Sequence, residues 1–477
     1  MFLGYKMNIN ELYGYQTTYL QILEDFFNIL VGRDASLFNS FDEVLQFSKR
    51  NVASSSGSSN PYIDFFDKLN SLYSESGTDV YRFAQELNAC KLVLGGSSRF
   101  YGSHLSATKS SLLFADTVLI PDPILPYLEI ERNEERFQYI PILKAIFFIL
   151  QLRTLNSFQF DILPFIIFPS WEKSLESNDK YTQLQTKQLI TDIFSHYVDD
   201  GIQVLEDIYK FSQSHQDVFF RKVEENKLFI APGRKSGDKL QTSIKYYKKE
   251  MQEMRSKEWC SEYLNIPEAG LVINAICERV VPQYHLLENS VELNSNPLLC
   301  IDSQAHYYQL VSSMKNSFIT EMNKEDRKTN AIVKALVSPR MSFLANIPYN
   351  QMITIRQSNE NVLFRKELRG LVNSLPSTNV EDLSAVAGEV CAYIEALVSQ
   401  HRKEIEGIRS KYKNKHIYTA GIGYASLAVT MSPILAPLAG LGLIPTGGKY
   451  VMDKLQERNE LKKTSNSLMG VISLAKN

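Results

Sequence analysis

The sequence predicts a mainly α-helical body of several units, a small mixed α/β element near residues 91–125, and a hydrophobic helical hairpin toward the C-terminal end. Three observations carry that prediction. Apolar residues recur at spacings of three and four over long stretches, the period of one face of a helix. Two short apolar runs, 91–94 and 117–120, stop at Gly95-Gly96 and Pro121, as buried strands do at turns. Residues 417–448 hold no charged side chain.

With 477 residues, 44% of them hydrophobic, the chain exceeds what one core fills, so about three structural units are expected. The charges nearly balance, 51 Lys plus Arg against 53 Asp plus Glu, which excludes a global field for nucleic acid or anionic membrane. The five cysteines, Cys90, Cys260, Cys277, Cys300 and Cys391, lack C-x-x-C spacing, so neither a zinc site nor a redox pair is expected. Free thiols and the absence of an apolar signal centre in residues 1–24 point to the cytoplasm.

Residues 1–90 form the first expected region. Tyr19, Leu20, Leu23, Phe26, Phe27 and Leu30 make one apolar face over Leu12–Val31, and a second helix spans Phe65–Leu87. Between them, the serine-rich stretch 53–60 carries too little apolar surface to fold by itself. Residues 91–175 hold the mixed element, followed by two apolar segments, Tyr139–Leu152 and Phe158–Phe168. Lys144, Arg153, Asp161 and Pro164 interrupt these, so they read as core rather than membrane spans.

Residues 176–375 read as a helical domain, with one long amphipathic helix over Leu184–Phe211, a lysine-rich helix over Lys239–Trp259 and another helix over Asn350–Leu375. Residues 376–477 follow Pro376. Thr378 and Glu381 have capping-box spacing, and Val386, Val390, Ile394 and Leu397 continue a packing stripe suited to the core or to self-association.

The uncharged segment is long enough to cross a bilayer, yet Pro433, Pro437 and Pro445 break any single helix. Two short arms fit better, with Ile417, Leu427, Leu435, Leu441 and Leu443 as their apolar contacts. Lysines and arginines flank both ends, the pattern of a hairpin held at the cytoplasmic face. The same pattern fits a hairpin stored inside the fold.

Candidate chemistry is sparse. Gly95, Gly96 and Ser97 follow a strand, where free amides cradle phosphate, although a tight turn accounts for the same residues. Asp116, Asp122, Glu129 and Glu131 are acids near a strand and would serve a metal-dependent enzyme on nucleotides or nucleic acid if they converged on one ion. Asp122, between Pro121 and Pro123, also suits a turn. Lys245, Lys248, Lys249 and Arg255 stand beside Tyr246 and Tyr247, a mixture able to meet nucleic acid. Glu250, Glu253 and Glu258 dilute it into a solvated helix face, so nucleic acid is not expected. Asp192, His196 and Asp199 share a polar stripe.

No cofactor and no resident metal are expected. The leading reading is a non-enzymatic intracellular effector or interaction protein, suited to bacterial self-defence. It meets a protein partner or its own copy through its helices, and membrane through 417–448.

Overall fold

A computed structural model describes residues 7–52, 61–95, 101–128, 139–156, 160–169, 180–231, 238–254, 257–314, 324–374, 386–399, 401, 403, 406–411, 457 and 468–476. The chain is mostly helical around a small parallel four-stranded sheet. It divides into two compact units, Met1–Val333 and Lys334–Asn477.

The first unit opens with α1 (Ile9–Val31). Asn8 and Glu11 form a capping box, the Asn8 side chain accepting the Asn10 and Glu11 amides, while Gly32 ends the helix at φ 76°. Leu12, Tyr19, Leu23 and Phe27 are buried along one face. After α2 (Phe41–Val52) comes α3 (Pro61–Glu86), whose Phe65 stacks on Phe26 of α1 at 4.0 Å.

Strand β1 (Lys91–Leu94) leads to α4 (Tyr101–Ser111), β2 (Thr117–Pro121), α5 (Leu125–Leu128), α6 (Tyr139–Leu152) and β3 (Phe165–Phe168). Helices α7 (Lys180–Tyr197), α8 (Leu205–Ser214), α9 (Gln216–Glu225), α10 (Leu240–Met254), α11 (Lys257–Tyr263) and α12 (Glu268–Glu292) intervene before β4 (Asn296–Leu298) and α13 (Asp302–Met314). The sheet order is β3-β2-β1-β4, all parallel. Strands β1 and β3 are buried at every residue, as parallel strands covered on both faces are.

The α/β element is therefore wider than residues 91–125. Its third strand lies inside the apolar segment read as core, and its fourth begins 175 residues after the second ends, carrying Pro297. A proline fits there because β4 is an edge strand. The expected helix over Leu184–Phe211 is two helices: Asp199 turns inward on its own backbone, its Oδ1 accepting the Gly201 amide at 3.0 Å, and the chain restarts at Leu205.

In the second unit a 3₁₀ stretch, Pro339–Asn346, precedes helices Tyr349–Arg356 and Asn359–Ser374. These replace one expected helix; Ser358 separates them and its Oγ accepts the Asn361 amide. Residues 386–399 are helical and bury Val386, Val390 and Ile394, three stripe positions, in the core of that unit. The final helix, Leu468–Ala475, buries Leu468, Val471 and Ile472. Thr378 and Glu381 fall outside the described residues. The hairpin residues Ile417, Leu427, Pro433, Leu435, Pro437, Leu441, Leu443 and Pro445 do so as well. Among the described residues, no helix is long and apolar enough to cross a membrane.

Candidate functional site

Chain direction places the carboxyl ends of all four strands at one edge of the sheet. From β1 the chain moves to β2 and then β3 on one side, whereas β4 is added on the other. The strand order thus reverses at β1, with β2 and β4 as its two neighbours.

Gly95 follows β1 and is buried against α12: a Cβ there would lie 2.3 Å from Leu286 Cδ2, so the leucine side chain takes the space a larger residue would need. The Gly95 carbonyl accepts a 3.1 Å hydrogen bond from Gln304 Nε2 of α13, and Gln304 Oε1 accepts the Cys300 amide at 2.9 Å. One side chain thereby ties the end of β1 to the loop after β4. Gly96 and Ser97 lie outside the described residues, between β1 and α4 in sequence.

Asp122 directly follows β2. Its amide continues the ladder to the Phe168 carbonyl at 2.9 Å. Its Oδ1 accepts the Ile124 amide at 2.8 Å, the turn expected for an acid between two prolines, and the Tyr19 hydroxyl of α1 at 2.8 Å. Oδ2 is buried with no hydrogen-bond partner among the described residues, and so is the hydroxyl of Tyr15. Burial pushes the Asp122 carboxyl up from 3.8 to about 7, against the pull of the Ile124 amide and the Tyr19 hydroxyl.

The neighbours of Asp122 respond in kind. Burial, and then the adjacent Asp122 charge, raises the Tyr15 and Tyr19 hydroxyls far above the usual tyrosine range. Tyr101, the first residue of α4, is within electrostatic reach of Tyr19 and stacks on Phe148 at 5.2 Å. On the same first turn of α4, His104 is sealed in with Nε2 unpartnered; burial, helped by the Lys144 charge, lowers its imidazole to about 4.

Helix α1 closes this edge. Gln16 Nε2 donates to the Ile167 carbonyl at 2.7 Å while its Oε1 accepts the Ile167 amide at 3.0 Å. That pair of bonds satisfies the outer edge of β3, as a neighbouring strand would.

Asp116 is at the other end of β2. Its Oδ2 accepts the Cys90 amide at 2.8 Å and its own amide donates to the Cys90 carbonyl, fixing the start of the β1–β2 pair. The strand between the two acids separates them by about 20 Å, so they do not converge on one ion. Glu129 and Glu131 lie outside the described residues, and among those described no group of His, Cys, Asp or Glu is assembled to hold a metal.

On α10, Lys248 pairs with Glu268 at 2.7 Å, whereas Lys245 and Lys249 are exposed; Arg255 lies outside the described residues. Asp192 accepts Gln188 Nε2 on the exposed face of α7, near exposed His196, and Asp199 belongs to the turn beyond it.

Tyr15, Gln16, Tyr19 and Gln304 are absent from the candidates that spacing suggests. Each meets a partner more than 100 residues away. The local signal is polar atoms on an otherwise apolar helix face, which spacing alone cannot distinguish from core. No family model, curated protein or solved structure matches the chain.

Proposed function

We propose that the first unit is a binding module for a phosphate-bearing small molecule, a nucleotide by chemistry, received where β1 and β4 part. The observation that carries this reading is the strand order: open parallel sheets take ligands at the carboxyl ends of the strands that flank such a reversal. Two features support it. Gly95 is followed in sequence by Gly96, Ser97 and Ser98, and α13 begins at the same edge, with Asp302 in its first turn. Binding, rather than metal-assisted chemistry, is the role in keeping with the separation of Asp116 from Asp122.

Calorimetric titration of the full chain with ATP, GTP, NAD and inorganic triphosphate tests this. Saturable binding is expected, with a stabilisation of about 2.7 kcal/mol at a hundred times the dissociation constant, and with loss of binding in Ser97→Asp. A well-folded chain that binds none of the four sinks the reading.

A second reading concerns residues 417–448, as a device that engages membrane within a cytoplasmic effector. The observation favouring it is that described residues before and after the segment in sequence belong to one folded unit. Upstream of it, Cys391 Sγ contacts the Ala335 carbonyl at 3.5 Å; downstream, the Leu468 amide donates to Glu360 at 2.6 Å, and Lys476 approaches Glu395 to 3.8 Å. With both flanks joined, an inserted segment must enter and leave from the same side, which is the behaviour of a hairpin.

Truncation before the segment would remove the docked last helix, so the informative variant replaces 417–448 internally with a Gly-Ser linker. Liposome co-sedimentation and calcein release that vanish in this variant support a membrane role. Equal behaviour of the two proteins assigns the segment to the fold.

A further inference from the structure

We propose that the cavity at the carboxyl end of α3 receives a free α-amino acid with an apolar side chain of leucine or methionine size. The site is separate from the nucleotide reading. Lys91, the first residue of β1, donates to the Ala84 and Gln85 carbonyls at 2.9 Å each, which puts this end of α3 by the amino end of β1, away from the carboxyl edge of the sheet.

Asp79, Arg82, Phe83 and Glu86 line the cavity from one face of α3, at the spacings of three and four that bring helix side chains together. Met7 and Leu87 complete an apolar wall with Phe83. The volume is about 210 Å³, below the roughly 300–1,000 Å³ of sites that take drug-sized molecules, which suits a ligand no larger than an amino acid. The helix that presents these groups is fixed from another side. The Tyr81 hydroxyl donates to the Glu292 carboxylate at 2.6 Å and Gln85 Nε2 to the Glu292 carbonyl at 3.0 Å, so α3 is tied to the end of α12 and the lining is held before a ligand arrives.

Opposite charges meet in this lining without a hydrogen bond. Arg82 Nη1 stands 3.6 Å from Asp79 Oδ1, beyond the roughly 2.7–3.2 Å of such bonds, and neither side chain has another hydrogen bond among the described residues. With side chains 46% and 31% exposed, both groups are within reach of a ligand.

The pair selects a zwitterion. A lone cation would meet Asp79 and be opposed by Arg82, and a lone anion would meet the reverse. An α-amino acid carries both complementary groups on one carbon. Its carboxylate matches the planar fork of Arg82, two N–H donors to two oxygens, and its ammonium donates to Asp79. One loose contact is thereby replaced by charge-assisted hydrogen bonds on both sides. Glu86 adds a second carboxylate to the lining, which disfavours an acidic side chain, and the wall of Met7, Phe83 and Leu87 takes an aliphatic or thioether one.

Calorimetric titration of the full chain with L-leucine, L-methionine, glycine, leucine amide and N-acetyl-leucine tests the assignment. Leucine or methionine should bind about tenfold or more tightly than glycine, which lacks the apolar body, than leucine amide, which lacks the carboxylate, and than N-acetyl-leucine, which lacks the ammonium. Arg82→Gln should bring leucine down to the level of its amide, and Asp79→Asn to the level of its N-acetyl form, each leaving the other discrimination in place. The ligand series on the parent chain needs no variant to fold. Equal binding of leucine and its two blocked forms overturns the zwitterion assignment, as does absence of binding by leucine and methionine alike. Leucine binding that is unchanged in both folded variants places the ligand elsewhere and overturns the site. Failure of the nucleotide titration leaves each of these outcomes as decisive as before.

Discussion

Strand β2 carries an aspartate just beyond each end, and the two illustrate how little the residue type decides. Asp116, at the amino end, is partly exposed and spends its side chain on the Cys90 amide, holding two strands in register. Asp122, at the carboxyl end, has comparable backbone duties through Ile124 but is enclosed by α1, keeps one oxygen open, and holds its proton to near neutrality. The difference comes from what covers each end. The first lies at the start of the β1–β2 pairing, whereas a helix from the start of the chain seals the second.

The largest expected effect tests that enclosure. Asp122 binds its proton more tightly folded than unfolded, so the folded state loses stability as pH rises from 3.8 to about 7. The full loss, about 4 kcal/mol, is present by pH 8. Asp122→Asn cannot ionise and is close in shape to the protonated acid, so it should match the parent near pH 4 and exceed it increasingly toward pH 8. Denaturant titrations at pH 4, 6 and 8 check this, and a constant gap across pH would mean that the carboxyl is not enclosed in solution.

His104 supplies the opposing slope. Its folded imidazole takes a proton only near pH 4, against 6.5 unfolded, so stability falls as pH drops through that interval, by about 3 kcal/mol in all. Between pH 4 and 6.5 the two groups cancel in the parent. In His104→Gln the Asp122 slope should stand alone there, with stability rising on acidification, measurable by the same titrations. A flat profile in that variant would remove His104 from the account.

The smallest effect belongs to the other end of the strand. Asp116→Asn keeps an acceptor for the Cys90 amide, and a loss of about 1 kcal/mol or less is expected. A thermal-unfolding shift as large as that of an Asp122 substitution would erase the contrast between the ends.

Much of the local structure was legible. Strands β1 and β2 coincide with the apolar runs that stop at Gly95 and Pro121, and the long amphipathic face of α1 is where its spacing puts it. Strand β3 was visible only as apolar sequence, because a strand buried on both faces has no alternation to display. Strand β4 has three residues, one of them proline, and becomes a strand through pairing with β1 rather than through its own preference. The candidate site was half legible. Gly95 and Asp122 announce themselves as turn residues, but the contacts that make Asp122 unusual come from Tyr15 and Tyr19, over 100 residues earlier, and no local pattern encodes a pairing of that range.

The Gln16 clasp on Ile167 also sets a timetable for synthesis. The two residues are 151 positions apart. At translation speeds of about 5–20 residues per second, α1 emerges roughly 10 to 30 seconds before the strand whose edge it covers. Throughout that interval Leu12, Tyr19, Leu23 and Phe27 have only α2, α3 and their neighbours to bury against, and a newly made β3 without Gln16 would present open amides to other chains. Nascent chains of this protein should therefore depend on chaperones most heavily between the completion of α1 and the appearance of residue 168, and detachment of α1 from the finished fold would reopen an edge prone to aggregation.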